Sequence, residues 1–586
     1  MHIEKNFTDN VLYTLLNSEG RSKDNFKSRL DLRDMGLRYD LHPVSSGSKT
    51  YLPPSCFSMS TKEKEDFCKL LKGVKFPDGY ASNISNRVHV KEKKISGLKS
   101  HDSHILMQHL LPLATRRILP ENVSQTLIEL SNFFRELCCK SIRVKDVQQL
   151  EDRIALTLCH LERIFPPSFF DIMVHLPIHL AGEAKLAGPV QYRWMYPIER
   201  FLLRLKSYVR NRRHPEGSIA EGYLIEESLT FCYRYLHGVE SRLNRPVRND
   251  DRNPNDLPKR ALFSYIGRAL DDGETITLDY TTWVQAHRYV LFNFDPISSY
   301  FETHLQDIKA NNRRARRRDV ERIHNETFHE WFKFHVRNLI REENELSEEI
   351  QWLAAGPLMT ARKYKGYIVN GFRFHTKDVE ERRRTQNSGV VVVASTSSFS
   401  SAKDQNPIKG DVAYYGVLKE IIELYYNEKA KVVLFKCDWV DVRSEGRGIK
   451  KDKFGFTLVN FNRLLYSNEN IANEPFVLAS QVEQVFYIQD PLEEDWHVVV
   501  GTKPRDFFDM SAKEEECGDD IEIYYPNGLD SSLNTESSSS NNIDNGIWAR
   551  TNIPGPTVNT RLDITHPKDA IQSGDSEDDG VGDDDY

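Results

Sequence analysis

"YKGYIVNGFRFHT", residues 364–376, alternates apolar and polar side chains on both sides of Asn370-Gly371. Period-two alternation is the mark of a strand with one buried face, and Asn-Gly favours the left-handed backbone of a tight two-residue turn. The stretch therefore predicts two antiparallel strands joined at 370–371. Further strand candidates follow it: "VVVVAS" from Val390, "KVVLFKCDWVDV" from Lys431, "FGFTLVNF" from Phe454 and "PFVLASQVEQVFYI" from Pro475. Residues 355–505 read as a small β-rich domain, an SH3-like barrel being one form it can take.

Upstream the period changes. Val11, Leu12, Leu15 and Leu16 fall at helical spacing, as do Val123, Leu127, Leu130, Phe134 and Leu137, then Leu150, Ile154, Leu158, Leu161 and Phe165. Each series makes one apolar stripe, which predicts amphipathic helices packed by that face. Ser60 and Glu63 form a capping box ahead of Phe67, Leu70 and Leu71, and "FPPSFF" at 165–170 stops a helix. Residues 42–55 read as a loop from their Pro, Ser and Gly content. The fold class is α+β, with a mainly helical N-terminal half. The divisions are 1–115, a helical 116–240, a linker and basic helical segment over 241–354, the β-rich 355–505, and a tail over 506–586. The tail is rich in Ser, Asn, Gly and Asp and is expected to be disordered.

The net charge of −7 conceals an asymmetry. From Lys513 onward four basic side chains face eighteen acidic ones, a balance of −14, so residues 1–512 carry +7. A mildly basic body suits an acidic partner such as nucleic acid. No apolar run is long enough for a membrane span, so no membrane partner is expected. The eight cysteines contain no C-x-x-C pair, which argues against a zinc ribbon or a disulfide framework and for reduced thiols.

Two stretches concentrate cations. In "YRWMYPIERFLLRLKSYVRNRRHPEGSIAEGY", residues 192–223, Arg200, Arg204, Lys206, Arg210, Arg212 and Arg213 are interleaved with Trp194, Tyr196 and Tyr208. Cations neutralise phosphates and aromatic faces stack on bases; a solvated helix with its apolar side buried gives the same pattern. Arg313, Arg314, Arg316, Arg317 and Arg318 are five arginines in six positions, readable as a nuclear address, a phosphate-binding strip or a solvated face. Arg443, Arg447, Lys450, Lys451 and Lys453 are expected on a hairpin loop of the β region, where Tyr414, Tyr415, Trp439, Phe454 and Phe456 are aromatics able to line a groove or fill a core. His101, Asp102 and His104 are metal-ligand types, but His104 and His109 are five apart rather than at the i, i+4 spacing of a helical metal pair, and no cysteine is expected near enough to complete a zinc set, so a polar helix start reads better and no metal site is expected.

Taken together, the chain resembles the transposases of plant CACTA (En/Spm-like) DNA transposons. The likeness is carried by "MHIEKNFTDNVLYTLLN", "GLKSHDSHILMQHLLPLATRRILP", the 192–223 stretch and "TFHEWFKFHV". It continues through "GYIVNGFRFHT", "TQNSGVVV", "YYGVLKEIIELYY", "VVLFKCDWVDV", "KDKFGFTLVNFNRLLY" and "FVLASQVEQVFYIQDP", which resemble the uncharacterised β-rich domain of the same proteins. The resemblance implies that residues 1–115 are the remnant of an RNase H-like catalytic core with a helical insertion. It implies that the Met-His pair is internal in the family and preceded by the acids that hold the metal ions. His2 would be a remnant of that site and Glu199 its final acid, with Glu216 and Glu221 as rivals; Ser218-x-x-Glu221 reads equally well as a capping box. Activity is then expected to be incomplete, with no cofactor and Mg2+ only where the rest of the core is present. The implied partner is DNA, either transposon ends or non-specific duplex, with other transposon-encoded proteins or chromatin as further partners, in the nucleus. A different reading makes the chain a chromatin or protein-interaction adaptor acting through aromatic residues of the β-rich domain.

Overall fold

The computed structural model describes residues 2–235, Phe263, 267–502 and 548–559, less 47–48, 79, 81–83, 234, 313–315, 344, 399–407, 429, 444 and 467–469. The polar 240–260 segment lies outside the described residues. The chain divides into two compact units. Unit 1 comprises Met1–Lys69, Val88–Tyr192 and the described part of Glu536–Tyr586; unit 2 comprises Leu70–Arg87 and the described part of Arg193–Thr535.

Unit 1 is helical. Its main helices are α1 (His2–Leu15), α2 (Phe26–Asp34), α3 (Thr61–Gly73, at the boundary), α4 (Ser100–Ile105), α5 (Glu121–Leu137), α6 (Val144–Ile164) and α7 (Pro177–Ala187). The predicted stripes are the buried faces: Val11, Leu12 and Leu15 on α1 with Leu16 just after it, Val123, Leu127, Leu130 and Phe134 on α5, Leu150, Ile154 and Leu161 on α6. Phe7 meets the edges of Phe134 and Phe169 at 6.1 and 6.0 Å between ring centroids, and Phe165 stacks on Phe169 at 4.3 Å. Each such side chain withdrawn from water contributes about 1.5–3 kcal/mol. The capping box at the start of α3 is present: Glu63 N–H donates to Ser60 Oγ at 3.2 Å, and Ser60 N–H to Glu63 Oε2 at 2.7 Å.

Two expectations for this unit change. The 42–55 stretch is not all loop: β1 (Val44–Ser46) and β2 (Lys49–Tyr51) form an antiparallel pair with Val44 opposite Tyr51. Residues 548–559, inside the tail expected to be disordered, are folded. The strand Thr557–Asn559 pairs with β2, Thr557 opposite Tyr51. Arg550 grips both oxygens of Glu63 at 2.8 and 3.0 Å, and Asp40 Oδ2 accepts the Trp548 and Ala549 N–H groups at 2.9 and 2.7 Å. The rest of the tail lies outside the described residues.

Unit 2 contains α8 (Tyr196–Ser207) and α9 (Pro215–Tyr233), then α10 (Tyr280–Phe292), α11 (Ser298–Asn311), α12 (Arg317–Arg341) and α13 (Glu348–Ala355). Its strands are β3 (Glu274–Thr277), β4 (Thr360–Tyr364), β5 (Gly366–Val369), β6 (Phe372–His375), β7 (Gly389–Ser398), β8 (Ile408–Tyr425), β9 (Lys431–Trp439), β10 (Ile449–Lys451), β11 (Thr457–Val459), β12 (Phe476–Leu478), β13 (Glu483–Gln489) and β14 (His497–Gly501). The hairpin that opened the sequence reading is present: Val369 faces Phe372 across the two-residue turn, with φ of 53° at Asn370 and 75° at Gly371. Instead of a small barrel, the second half builds a ten-stranded sheet. Its main path runs β10-β11-β14-β13-β7-β8-β9-β12, and β4, itself paired with β3, joins at β8. The 18-residue β8 organises it. Its first part pairs with β7, its last part with β4 and β9.

The helices α10 to α13 belong to this fold. Val290, Leu291, Phe328, Phe332, Val336 and Leu353 share one core with Ile422, Leu424, Val432, Leu434 and Phe476 from the sheet. Among the described residues, the basic helix expected within 241–354 is the single element α12, Arg317–Arg341, and α11 precedes it. Residues 70–87 also belong to this unit: Asp78 N–H donates to Asn387 Oδ1 at 2.8 Å, and the Phe76 ring lies 5.7 Å from that of Phe486.

Candidate functional sites: a cationic helical hairpin and a Glu-His-Cys cluster

α8 and α9 form a helical hairpin. Arg204 on α8 donates to the Tyr208 hydroxyl at 3.0 Å and pairs with Glu226 on α9. Gly222 makes room for the Tyr208 ring, since a Cβ there would lie 2.7 Å from it. The turn is tied by Asn211 N–H to Ser218 Oγ at 3.1 Å and by Arg213 N–H to Asn211 Oδ1 at 3.0 Å. Ser218 lies inside α9, which begins at Pro215, so the capping-box reading of Ser218 and Glu221 does not hold.

This hairpin presents Arg204, Lys206, Arg210, Arg212 and Arg213, all exposed, over ten residues. Its apolar side chains are exposed as well: Phe201 46%, Leu203 66%, Leu224 59% and Phe231 60%. The expectation of a solvated helix with a buried apolar side is thus half met. Of Arg200 the structure gives only the helical backbone position. Arg313 and Arg314 lie outside the described residues; Arg316 is exposed at the start of α12, and Arg317 and Arg318 open that helix. The loop cations of the β region are partly engaged: Arg443 pairs with Asp441 at 2.8 Å, while Lys450 pairs with Glu493 and lies 4.1 Å over the Trp496 ring.

The residues tied to catalysis stand in different units, Glu199 exposed on α8 of unit 2 and His2 exposed at the start of α1 in unit 1. Of the aromatics named for a groove, Tyr414 is half-buried, whereas Tyr415, Trp439, Phe454 and Phe456 are each at least nine-tenths buried, and the Trp439 indole donates to Pro475 O at 3.1 Å. They build the core.

Sequence spacing missed a second constellation. α1 carries Glu4, α4 carries His104, and Cys138 caps the end of α5. One ligand atom from each lies within 4.8 Å of the others, and among the described residues no other group of three potential ligands converges this way. His104 Nδ1 is 2.8 Å from Glu4 Oε2. Gln108 Nε2 donates to Glu4 Oε1 at 2.9 Å and to Phe134 O at 3.2 Å. Burial alone would raise the Glu4 carboxyl, but the charge of His104 and hydrogen bonds from His104 and Gln108 hold it below its ordinary value. Burial, with the Glu4 charge, pushes the Cys138 thiol far up. The expectation that no cysteine reaches His104 fails because α5 runs back past α1 and delivers Cys138 from 34 positions away.

Against known families, residues 137–250 match the model described as Domain of unknown function (DUF4218). Residues 422–499 match Domain of unknown function (DUF4216). Both are typical of plant transposase-derived proteins. The first match takes in α6 to α9 and with them the cationic hairpin; the second covers the sheet from the end of β8 into β14. No curated protein matches, and no solved structure matches.

Proposed function

We propose that this chain is a transposase-like protein of the plant CACTA (En/Spm-like) type that binds DNA in the nucleus, through the α8–α9 hairpin, without cleaving it on its own. The observation that carries the reading is the exposure of Lys206, Arg210, Arg212 and Arg213 within eight residues of a turn held by its own hydrogen bonds. A fixed turn presents these cations to phosphates with little backbone left to order. The first domain match spans the same residues. Strand transfer needs several carboxylates around each of two metal ions, and among the described residues Glu199 belongs to no such group. The proposed activity is therefore binding.

Salt dependence tests it. Anisotropy titrations of labelled duplex DNA between 50 and 200 mM salt should give a linear log–log plot whose slope is about −0.9 per phosphate contact. Replacing Lys206, Arg210, Arg212 and Arg213 together by glutamine should flatten that slope by about 3 to 4. An unchanged slope, or no binding by the parent chain, refutes the DNA interface. Metal-dependent nicking by the purified chain refutes the assignment of binding alone.

A further inference from the structure

We propose that Glu4, His104 and Cys138 form a zinc site. The donor set is one carboxylate, one imidazole and one thiol, drawn from α1, α4 and the end of α5. Hard cations such as Mg2+ and Ca2+ prefer six or more oxygens, whereas a mixed N, O and S set in a small enclosure suits zinc. Tetrahedral zinc with bonds of about 2.0–2.3 Å keeps its ligand atoms roughly 3.3–3.7 Å apart. The three atoms here already lie within 4.8 Å of one another. The 2.8 Å separation of His104 Nδ1 from Glu4 Oε2 must therefore open by about half an ångström for zinc to take the place of the shared proton.

The surroundings are prepared for a fixed carboxylate. Glu4 is 3% exposed, and Gln108 holds its other oxygen while anchored to the Phe134 carbonyl. A hydrogen-bonded partner of this kind outside the ligand set is what orients ligands at zinc centres. Gln108 lies in the π-helical turn Leu106–Leu110 that follows α4, and such single turns are frequent at functional sites. Cys138 is positioned by its own N–H, which donates to Phe134 O at 3.1 Å, so both it and Gln108 are set by one carbonyl. On zinc binding the thiol proton and the proton on the imidazole Nδ1 both leave to solvent, the ring keeping its proton on Nε2; three protein bonds form and the fourth position takes water.

The test uses the full chain with any affinity tag removed. After dialysis, elemental analysis should find about one zinc per chain, the stoichiometry of a single three-ligand centre. Exchange into cobalt should give visible bands of tetrahedral intensity together with a thiolate-to-cobalt charge-transfer band. Cys138→Ser should abolish the charge-transfer band while Cys139→Ser keeps it. Gln108→Leu, which leaves all three ligands in place, should weaken zinc binding about 10- to 100-fold. A parent chain that takes up neither metal, and so holds only a proton between Glu4 and His104, overturns the proposal; so does a charge-transfer band that survives in Cys138→Ser.

Discussion

Asp24 and Arg29 show how much a single side chain can carry in unit 1. Arg29 is 2% exposed and makes a two-pronged contact with Asp24, while its remaining nitrogen donates to Leu41 O at 3.1 Å. Asp24 in turn accepts from Ser55 Oγ at 3.0 Å. This pair ties the start of α2 to the loop after it and to the segment following β2. Removing the carboxylate leaves a guanidinium buried without its counter-charge, which costs about 3–5 kcal/mol. Asp24→Ala should lower the denaturant midpoint of unit 1 accordingly, while Arg33→Ala, at an exposed pair on the same helix, should change it by less than about 1 kcal/mol. Equal effects would show that burial of Arg29 does not matter. Neither residue stood out in the sequence, because a charged residue looks the same in a string whether its partner is water or a carboxylate.

At the scale of the element, the hairpin at 370–371 was legible and the strand that organises the ten-stranded sheet was not. Asn-Gly announces its turn because few other residue pairs accept two consecutive positive φ values. In "GVLKEIIELYY" the polar residues Lys419, Glu420 and Glu423 obscure the period of β8. The sheet accounts for two of them: Glu420 pairs with Lys363 at 2.9 Å and Lys436 at 3.3 Å, and buried Glu423 accepts from the Tyr364 hydroxyl at 3.1 Å. Those partners come from β4 and β9, so only pairing reveals why glutamates are tolerated there. The turn also holds more than its conformation. Asn370 Nδ2 donates to Ser480 O and Val482 O, both at 3.1 Å, joining the hairpin to the β12–β13 connection. Asn370→Gly keeps the backbone freedom and loses these bonds, so it should cost about 1 kcal/mol. Asn370→Val adds left-handed strain of about 1–2 kcal/mol more. Thermal melts of the two variants would check the order, and a reversed order would refute this account of the turn.

For the molecule as a whole, the buried histidines of unit 2 couple folding to acidity. Burial lowers His287 to about 3, with His329 and Lys333 adding to the effect. It lowers His324 to about 4, reinforced by His304, whose Nδ1 lies 2.9 Å from that of His324, and His375 to about 4, with Arg383 and Arg373 beside it. Each is neutral when folded and takes up a proton near pH 6.5 when unfolded. The unfolded chain therefore binds more protons between about pH 6.5 and 4, and stability falls as pH drops through that window. The slope is at most about 1.4 kcal/mol per pH unit for each extra proton, less where water still screens the ring. Denaturant midpoints at pH 7.5 and 5.5 should show the loss, and His324→Phe should reduce it; a midpoint independent of pH would contradict the burial of these rings. The apolar stripes of unit 1 could be read because each belongs to one helix, whereas the Glu4, His104 and Cys138 cluster could not, because its members meet only after three helices have packed. The strand Thr557–Asn559 carries the same separation to an extreme, since its partner β2 is made some 500 residues earlier. During synthesis the Lys49–Tyr51 edge emerges early and stays open until Thr557–Asn559 have been made and released. Until then it offers bare amides and carbonyls to any passing extended segment, so a chaperone or a neighbouring nascent chain can occupy the place that this distant strand fills.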